Sequence, residues 1–251
     1  MRILILSDIH ANLEALEACL EAAPSYDRVV NLGDVVGYGA SPNEVIEQSR
    51  KLGGPIVRGN HDKACSGVTS IDGFNPVAGM AVLWTRTMLA RENLHWLHEL
   101  PQGPLTLEDV PNVQFVHGSP LDEDEYLINL VEALEPLEET EIPLTFFGHT
   151  HIQGGFLLNG EDAAVLRPVY KAPKSKEEFE LKLKKEPKYL INPGSVGQPR
   201  DNDWRAAFAV YDNDARIVTY CRVPYDVEAA QERIIQAELP ERLAARLAHG
   251  R

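Results

Sequence analysis

The chain has 251 residues, 44% of them apolar, enough to bury the core of an α/β domain. Its 38 acidic and 24 basic residues leave a net charge of −14, which repels a nucleic-acid backbone, and no basic stripe offsets it, so stable nucleic-acid binding is not expected. No apolar run reaches membrane-spanning length, the short apolar N-terminus lacks a signal-peptide cleavage site, and three cysteines without a Cys-x-x-Cys spacing exclude a disulfide framework and a thiolate zinc site; together these predict a cytoplasmic protein.

Residues 2–7 read as a buried strand. Asn12 is placed to cap a helix whose Leu13, Leu16 and Leu20 share one face, and Pro24 stops it. A second strand is expected over 28–32. Ser41-Pro42-Asn43-Glu44 has the pattern of a capping box, opening a helix that Gly53-Gly54 ends. A third strand is expected over 55–58, so the first sixty residues read β-α-β-α-β, the signature of a parallel sheet. Helices follow over 75–89 and 92–100, then strands over 113–116 and 144–147. Residues 179–184 alternate as a half-buried strand does. Strands 189–191, 207–211 and 216–223 follow, the last two flanking the turn Asp212-Asn213-Asp214-Ala215. Asp226 caps a C-terminal helix expected over 226–247. The whole chain, 1–251, reads as one domain.

The polar motifs lie just past the expected strands. They are Ser7-Asp8-Ile9-His10, Gly33-Asp34, Gly59-Asn60-His61-Asp62, Val116-His117-Gly118 and Gly148-His149-Thr150-His151. In an extended chain, residues two apart project together, so Asp8 pairs with His10, and His149 with His151. Open α/β sheets place ligands at the carboxyl ends of strands. Asp34 offers a carboxylate able to bridge two cations, and Asn60 a neutral amide oxygen. Mixed imidazole and carboxylate donors suit Mn, Fe, Zn, Co or Ni better than Ca or Mg. Two adjacent cations point to phosphate-ester hydrolysis. Two divalent ions against Asp8, Asp34 and one hydroxide leave the centre positive, so phosphate can bind despite the acidic surface. His95, His98 and His249 lack such contexts and read as surface or helix-face residues.

The ordered set Asp-x-His, Gly-Asp, Gly-Asn-His-Asp, His, Gly-His-x-His resembles the calcineurin-like metallophosphoesterase superfamily. It spans residues 8–151, and Asn192-Pro193-Gly194-Ser195 extends it toward the small prokaryotic phosphodiesterase members. The resemblance implies a four-layer α/β/β/α sandwich with two packed mixed sheets. It implies that Asp8, His10 and His151 hold one metal, that Asn60, His117 and His149 hold the other, and that Asp34 bridges them. Two divalent transition-metal ions are implied, manganese first. His61 would contact the phosphate and protonate the leaving oxygen while a hydroxide shared by the ions attacks phosphorus. One departure stands out. Where the protein Ser/Thr phosphatase branch has an Asp that orients this histidine, the chain has Gly37, and the following Arg is absent, which argues against a protein phosphatase.

For substrate contacts, Arg200 follows the rigid turn 192–195 and is a candidate for a phosphate oxygen. Arg58 can reach phosphate or form a surface ion pair. Asn12 can contact substrate, although helix capping accounts for it more simply. Tyr38 reads as a core or rim aromatic rather than a base-stacking residue. The acidic run 121–141 reads as a solvated loop and helix, the lysine-rich 167–188 as a solvated hairpin rather than a flap, and Cys65 as a small buried hydrophobe. The expected activity is phosphodiester hydrolysis of a small or nucleotide-like substrate, ahead of dinucleoside polyphosphate cleavage, phosphomonoester hydrolysis or a non-catalytic protein-binding scaffold.

Overall fold

Strand β1 (Arg2–Leu6) explains why two sheets form. Its Leu4 and Leu6 pack into one apolar cluster and its Ile3 and Ile5 into another, so both faces are buried. A computed structural model describes all 251 residues. After β1 come α1 (Leu13–Ala22), β2 (Arg28–Asn31), α2 (Pro42–Leu52), α3 (Asn60–Ser66), α4 (Pro76–Met88) and α5 (Arg91–His98). The middle of the chain forms β3 (Leu105–Leu107), β4 (Val110–Phe115), α6 (Leu130–Glu139), β5 (Leu144–Phe146), β6 (Gly154–Asn159) and β7 (Asp162–Leu166). Then follow β8 (Glu177–Lys182), β9 (Lys188–Asn192), β10 (Ala206–Asp212), β11 (Ile217–Val223), α7 (Val227–Gln236) and α8 (Glu241–Leu247).

The strands make two mixed sheets, ordered β2-β1-β10-β11-β8 and β3-β4-β5-β9-β6-β7. Three apolar clusters define the layers. One joins the first sheet to α1, α2, α3, α4, α5, α7 and α8. A second, with Ile3, Ile5, Phe115, Phe146, Tyr211 and Tyr220, lies between the sheets. The third seats Ala133 and Leu137 of α6 against Phe156 and Leu190 of the second sheet. The result is the expected α/β/β/α sandwich, with one outer layer built from a single helix. No helix is long and apolar enough to cross a membrane.

This arrangement positions the polar motifs. Strands β1 and β2 run parallel, as do β4, β5 and β9. Their carboxyl ends lead into the loops carrying Asp8, Asp34, His117 and His149, and β9 ends at Asn192, so strand ends from both sheets meet at one rim.

Several local expectations change. The strand expected over 55–58 is a single bridge between Ile56 and Asn31. Beyond it the Arg58 N–H turns to the Pro101 carbonyl, and Gly59 opens helix α3. Ser41 does not cap α2 with its side chain. Its N–H is tied to the Ala11 carbonyl and its Oγ is buried without a partner, leaving Pro42 to start the helix. The single C-terminal helix expected over 226–247 is two, α7 and α8, broken ahead of Pro240, which has no N–H to continue the ladder. Asn12 and Asp226 do cap their helices, through Ala15 and Ala229. Residues 177–182, inside the lysine-rich segment, pair with β11 as an edge strand. The β6–β7 hairpin, turning at Gly160 (φ +63°), had no expected counterpart.

Phe146 is fully buried between the sheets, with its ring 5.7 Å from that of Phe115 and 5.5 Å from that of Tyr211. Phe146→Ala is expected to lower the unfolding free energy by about 3–5 kcal/mol, read from a urea denaturation midpoint.

Candidate metal centre and active site

The extended-chain reason for pairing Asp8 with His10 is not how they meet. Asp8 (φ +53°), His10 (+49°), His149 (+66°) and His151 (+61°) all take left-handed backbone conformations, as does Asp34 (+54°). Each such non-glycine residue costs ~1–3 kcal/mol and persists where surrounding bonds over-determine it. Those bonds are present. Asp8 N–H donates to the Gly33 carbonyl, His10 N–H to the Asp34 carbonyl and Gly148 N–H to the His117 carbonyl. Asn192 Nδ2 donates to the Gly148 carbonyl and Thr150 Oγ1, and Ser195 Oγ donates to the Asp8 carbonyl. The Asn192-Pro193-Gly194-Ser195 turn thus ties the Asp8 loop to the His149 loop.

Asp8, His10, Asp34 and His151 bring their ligand atoms within 4.8 Å of one another, and so do Asp34, His117 and His149. All are buried. His10 Nε2 lies 3.1 Å from His151 Nε2, and His117 Nε2 lies 3.1 Å from His149 Nδ1. Asp34 belongs to both groups. Its Oδ2 has no hydrogen-bond donor and lies 3.5 Å from His10 Nε2 and 3.5 Å from His117 Nε2. Its Oδ1 accepts the His61 N–H at 2.8 Å.

Neighbouring carbonyls set the imidazole tautomers. His10, His117 and His151 each donate Nδ1–H to a main-chain oxygen, of Val36, Leu32 and Gln198 respectively. That leaves Nε2 as a lone pair aimed into the cluster on His10 and His151, and on His117 whenever its ring is neutral. Burial holds His10, His149 and His151 well below the ordinary imidazole pKa, keeping them neutral. Burial acts the same way on His117, but the Asp34 and Asp8 carboxylates outweigh it and raise that group to about 9. Burial also opposes ionisation of Asp34, yet His117, His61 and His10 hold it well below the usual carboxylate range. Burial and the Asp34 charge lift Asp8 to about 6.

These donors fit divalent cations. The lone pairs of the neutral His10 and His151 facing each other at 3.1 Å, beside a carboxylate oxygen with no donor, leave buried polar atoms unsatisfied unless a cation lies among them. The Asn60 amide oxygen is also buried without a partner. It sits in the first turn of α3, the helix that Gly59 opens. A Cβ on Gly59 would fall 2.1 Å from Asp34 Oδ1, which is why glycine stands there.

His61 lines an adjoining cleft of about 320 Å³ together with Asn60, His149, Tyr38, Phe74 and Tyr126. Its Nδ1 is buried without a partner, and burial lowers its pKa to about 4. No carboxylate orients it. The ring is held by Tyr38 at 4.3 Å, by Phe74 edge-on at 4.9 Å and by His10 edge-on at 5.0 Å. A Cβ on Gly37 would lie 2.4 Å from His61 Nδ1, so the ring occupies the space a side chain there would need.

Among the candidate substrate contacts, Arg200 is the arginine with no acidic partner. Its Nη2 bonds Gln198 Oε1 at 3.0 Å and Tyr38 Oη at 3.4 Å, and its Nε is buried without a partner. Arg58 forms the surface ion pair instead: Nε and Nη2 grip Glu123, and Nη2 also bonds Gln102, so those donors are not available to phosphate. Asn12 is likewise consumed, accepting from the Ala15 N–H and donating to the Gly197 carbonyl and Tyr225 Oη.

Three contributors had gone unassigned in the sequence. Asp62 joins two site loops by accepting the Val36 and Gly59 N–H groups, with its pKa raised to about 7 by burial and the Asp34 charge. Ser7 Oγ donates to Asp8 Oδ2 at 2.7 Å. Lys63, buried, bonds Glu123 and Asp124, which pins the acidic loop and seats the Tyr126 ring 3.7 Å from that of His149. A lysine three residues past Asn60 and acidic residues sixty positions away give no local signal. His95, His98 and His249 are exposed, and Cys65 is buried among apolar residues.

A family model for the calcineurin-like phosphoesterase superfamily domain matches residues 1–216. An uncharacterized protein of Methanocaldococcus jannaschii is 38% identical over 257 residues, covering 99% of this chain and 98% of its own length. The crystal structure of a metallophosphoesterase from Sphaerobacter thermophilus is 40% identical, covers 100% of this chain and 99% of its own, and superposes with a TM-score of 0.83. A hypothetical protein from Pyrococcus horikoshii shares the fold at 19% identity and a TM-score of 0.75, covering 100% of this chain and 98% of its own. Fold, buried Asp/His cluster and family match define a metal-dependent phosphoric ester hydrolase. The chain belongs to the calcineurin-like phosphoesterase superfamily.

Gly37 has φ +90° as well as no room for a side chain. Gly37→Ala is expected to cost ~1–3 kcal/mol of stability in denaturation and to lower phosphoester hydrolysis by displacing His61. Unchanged stability and rate would show that the ring has freedom the packing denies it.

Proposed function

We propose that the protein is a phosphodiesterase acting on a small or nucleotide-like phosphoester with the help of two divalent transition-metal ions, manganese first among them. Asp8, His10 and His151 would hold one ion, Asn60, His117 and His149 the other, and Asp34 both. The observation that carries this reading is Asp34 Oδ2, which lacks a donor and is equidistant, at 3.5 Å, from an imidazole of each group. Bound there, two such ions supply Lewis-acid polarisation of the phosphoryl oxygens and activation of water at neutral pH.

The chain's own residues do the rest. His61 lines the cleft beside Asn60 and His149, where a leaving oxygen would stand; neutral in the free site, its ring is to take up a proton as the anionic phosphoester binds and pass it to that oxygen. Tyr38 and Phe74 fix the ring that delivers it. Arg200, whose Nη1 has no partner, offers its guanidinium to a phosphate oxygen of the substrate. The aromatic walls Phe74 and Tyr126 suit an organic group on the ester, as a diester or nucleotide provides and inorganic phosphate does not. Gly37, where a protein phosphatase would have a carboxylate, fits a small substrate better than a phosphoprotein. Three free, buried cysteines suit a cytoplasmic setting.

The test is hydrolysis of bis-p-nitrophenyl phosphate against p-nitrophenyl phosphate with Mn or Ni added. A higher kcat/KM for the diester is expected, and preference for the monoester overturns the assignment. His61→Ala is expected to retain both metals while losing ~10²–10⁴-fold in rate, the size of a lost general acid. Asp34→Asn is expected to lose metal from both positions by elemental analysis. Metal loss in the His61 variant, or full occupancy in the Asp34 variant, would reverse those roles.

A further inference from the structure

Two guanidinium groups approach the same aromatic ring. Arg200 Cζ lies 5.6 Å from the Tyr38 ring centroid and Arg246 Cζ lies 5.9 Å from it. That ring packs 4.7 Å from His10 and 4.3 Å from His61, so both arginines stand next to the cluster. They come from distant parts of the chain. Arg200 ends the loop that follows the 192–195 turn, and Arg246 lies in the last turn of α8. Both are half-buried.

Neither has an acidic side chain within 4.0 Å, whereas Arg28, Arg50, Arg58, Arg205, Arg222 and Arg233 all do. Arg200 has only Gln198 and Tyr38 as side-chain partners, and Arg246 uses only its Nε, on an oxygen of Arg251. Arg2, Arg86 and Arg216 are half-buried without an acidic partner too, but Arg200 and Arg246 are the pair that meets over the ring packed on the Asp/His cluster. They also oppose each other: burial and then the Arg200 charge pull the Arg246 pKa down to about 10. A multiply charged anion between them removes the repulsion and engages the free Nη groups. Guanidinium forks match the spacing of phosphate oxygens.

We propose that Arg200 and Arg246, with Tyr38 between them, hold a second phosphate group of the substrate beside the one that is cleaved. This rests on the phosphoesterase reading and narrows it to compounds with two neighbouring phosphates, such as a nucleoside diphosphate or its esters. It also gives α8 a part in the site: the break before Pro240 turns the last helix so that its final turn reaches Tyr38.

The test is calorimetric titration of manganese-loaded protein with ADP and with AMP at constant free Mn²⁺. ADP is expected to bind at least about tenfold more tightly, the size of one added charge-assisted contact. R246Q should bring the two affinities together, while R242Q, which removes an exposed cation from the same helix, should preserve the preference. Equal affinity for AMP and ADP in the parent protein overturns the proposal, as does an ADP preference that survives R246Q. Equal losses in R246Q and R242Q would make it a general charge effect and overturn it too. R246K, which keeps charge and length, guards against a folding defect in R246Q and should retain a preference for ADP; its loss there with normal folding would also count against the clamp. Binding requires no turnover. Failure of diester hydrolysis therefore sinks the phosphodiesterase reading, whereas failure of the ADP preference sinks only the two-arginine site.

Discussion

The structure depends on one uncomfortable burial: the Asp34 carboxylate, in the dry interior, with one oxygen facing imidazoles and no donor. Placing an ionised carboxylate there carries a penalty of several kcal/mol unless positive charge answers it. Without a cation only protonated imidazole can answer, which accounts for the raised His117 and the depressed Asp34. With cations the same geometry would become favourable, and the neutral histidines are placed to act as ligands. The surrounding architecture serves to hold this arrangement against its own electrostatics.

That holding is divided between the two sheets. The first supplies the loops of Asp8 and Asp34, the second those of His117 and His149, and α3 brings Asn60 and His61. Main-chain carbonyls of Val36, Leu32 and Gln198 fix three imidazoles by hydrogen bonds that no side-chain substitution removes directly. The left-handed backbone at five cluster residues is the strain that results. It is tolerated because the inter-sheet core, with Phe115, Phe146 and Tyr211, keeps the two sets of strand ends in register.

Much of this was legible in the sequence. Buried strands announce themselves by continuous β-branched and leucine runs, so β1, β2, β4, β5 and β9 were readable, and with them the location of the motifs. The order of Asp8, His10, Asp34, Asn60, His117, His149 and His151 named the residues that converge. What remained hidden depended on tertiary partners. Residues 55–58 have strand composition, but pairing ends after Ile56 because Gly59 must pass beside Asp34. Ser41 has a capping sequence, but its N–H belongs to Ala11. Arg58 could have faced phosphate or solvent, and Glu123, remote in sequence, decided it. The hold on His61 was unreadable for a related reason: aromatic packing by Tyr38 and Phe74 leaves no short-range motif.

The glycine at position 37 has a broader meaning. Where a carboxylate backs a histidine, charge steers the ring and a modest shift can be corrected by the attraction itself. Here volume does the steering, since the imidazole fills the gap that a side chain would otherwise take. A donor seated by shape is indifferent to ionic strength but intolerant of any added atom. The loop 37–39 is thereby closed to chemical diversification, and variety in what the protein accepts must come from the outer walls of the cleft.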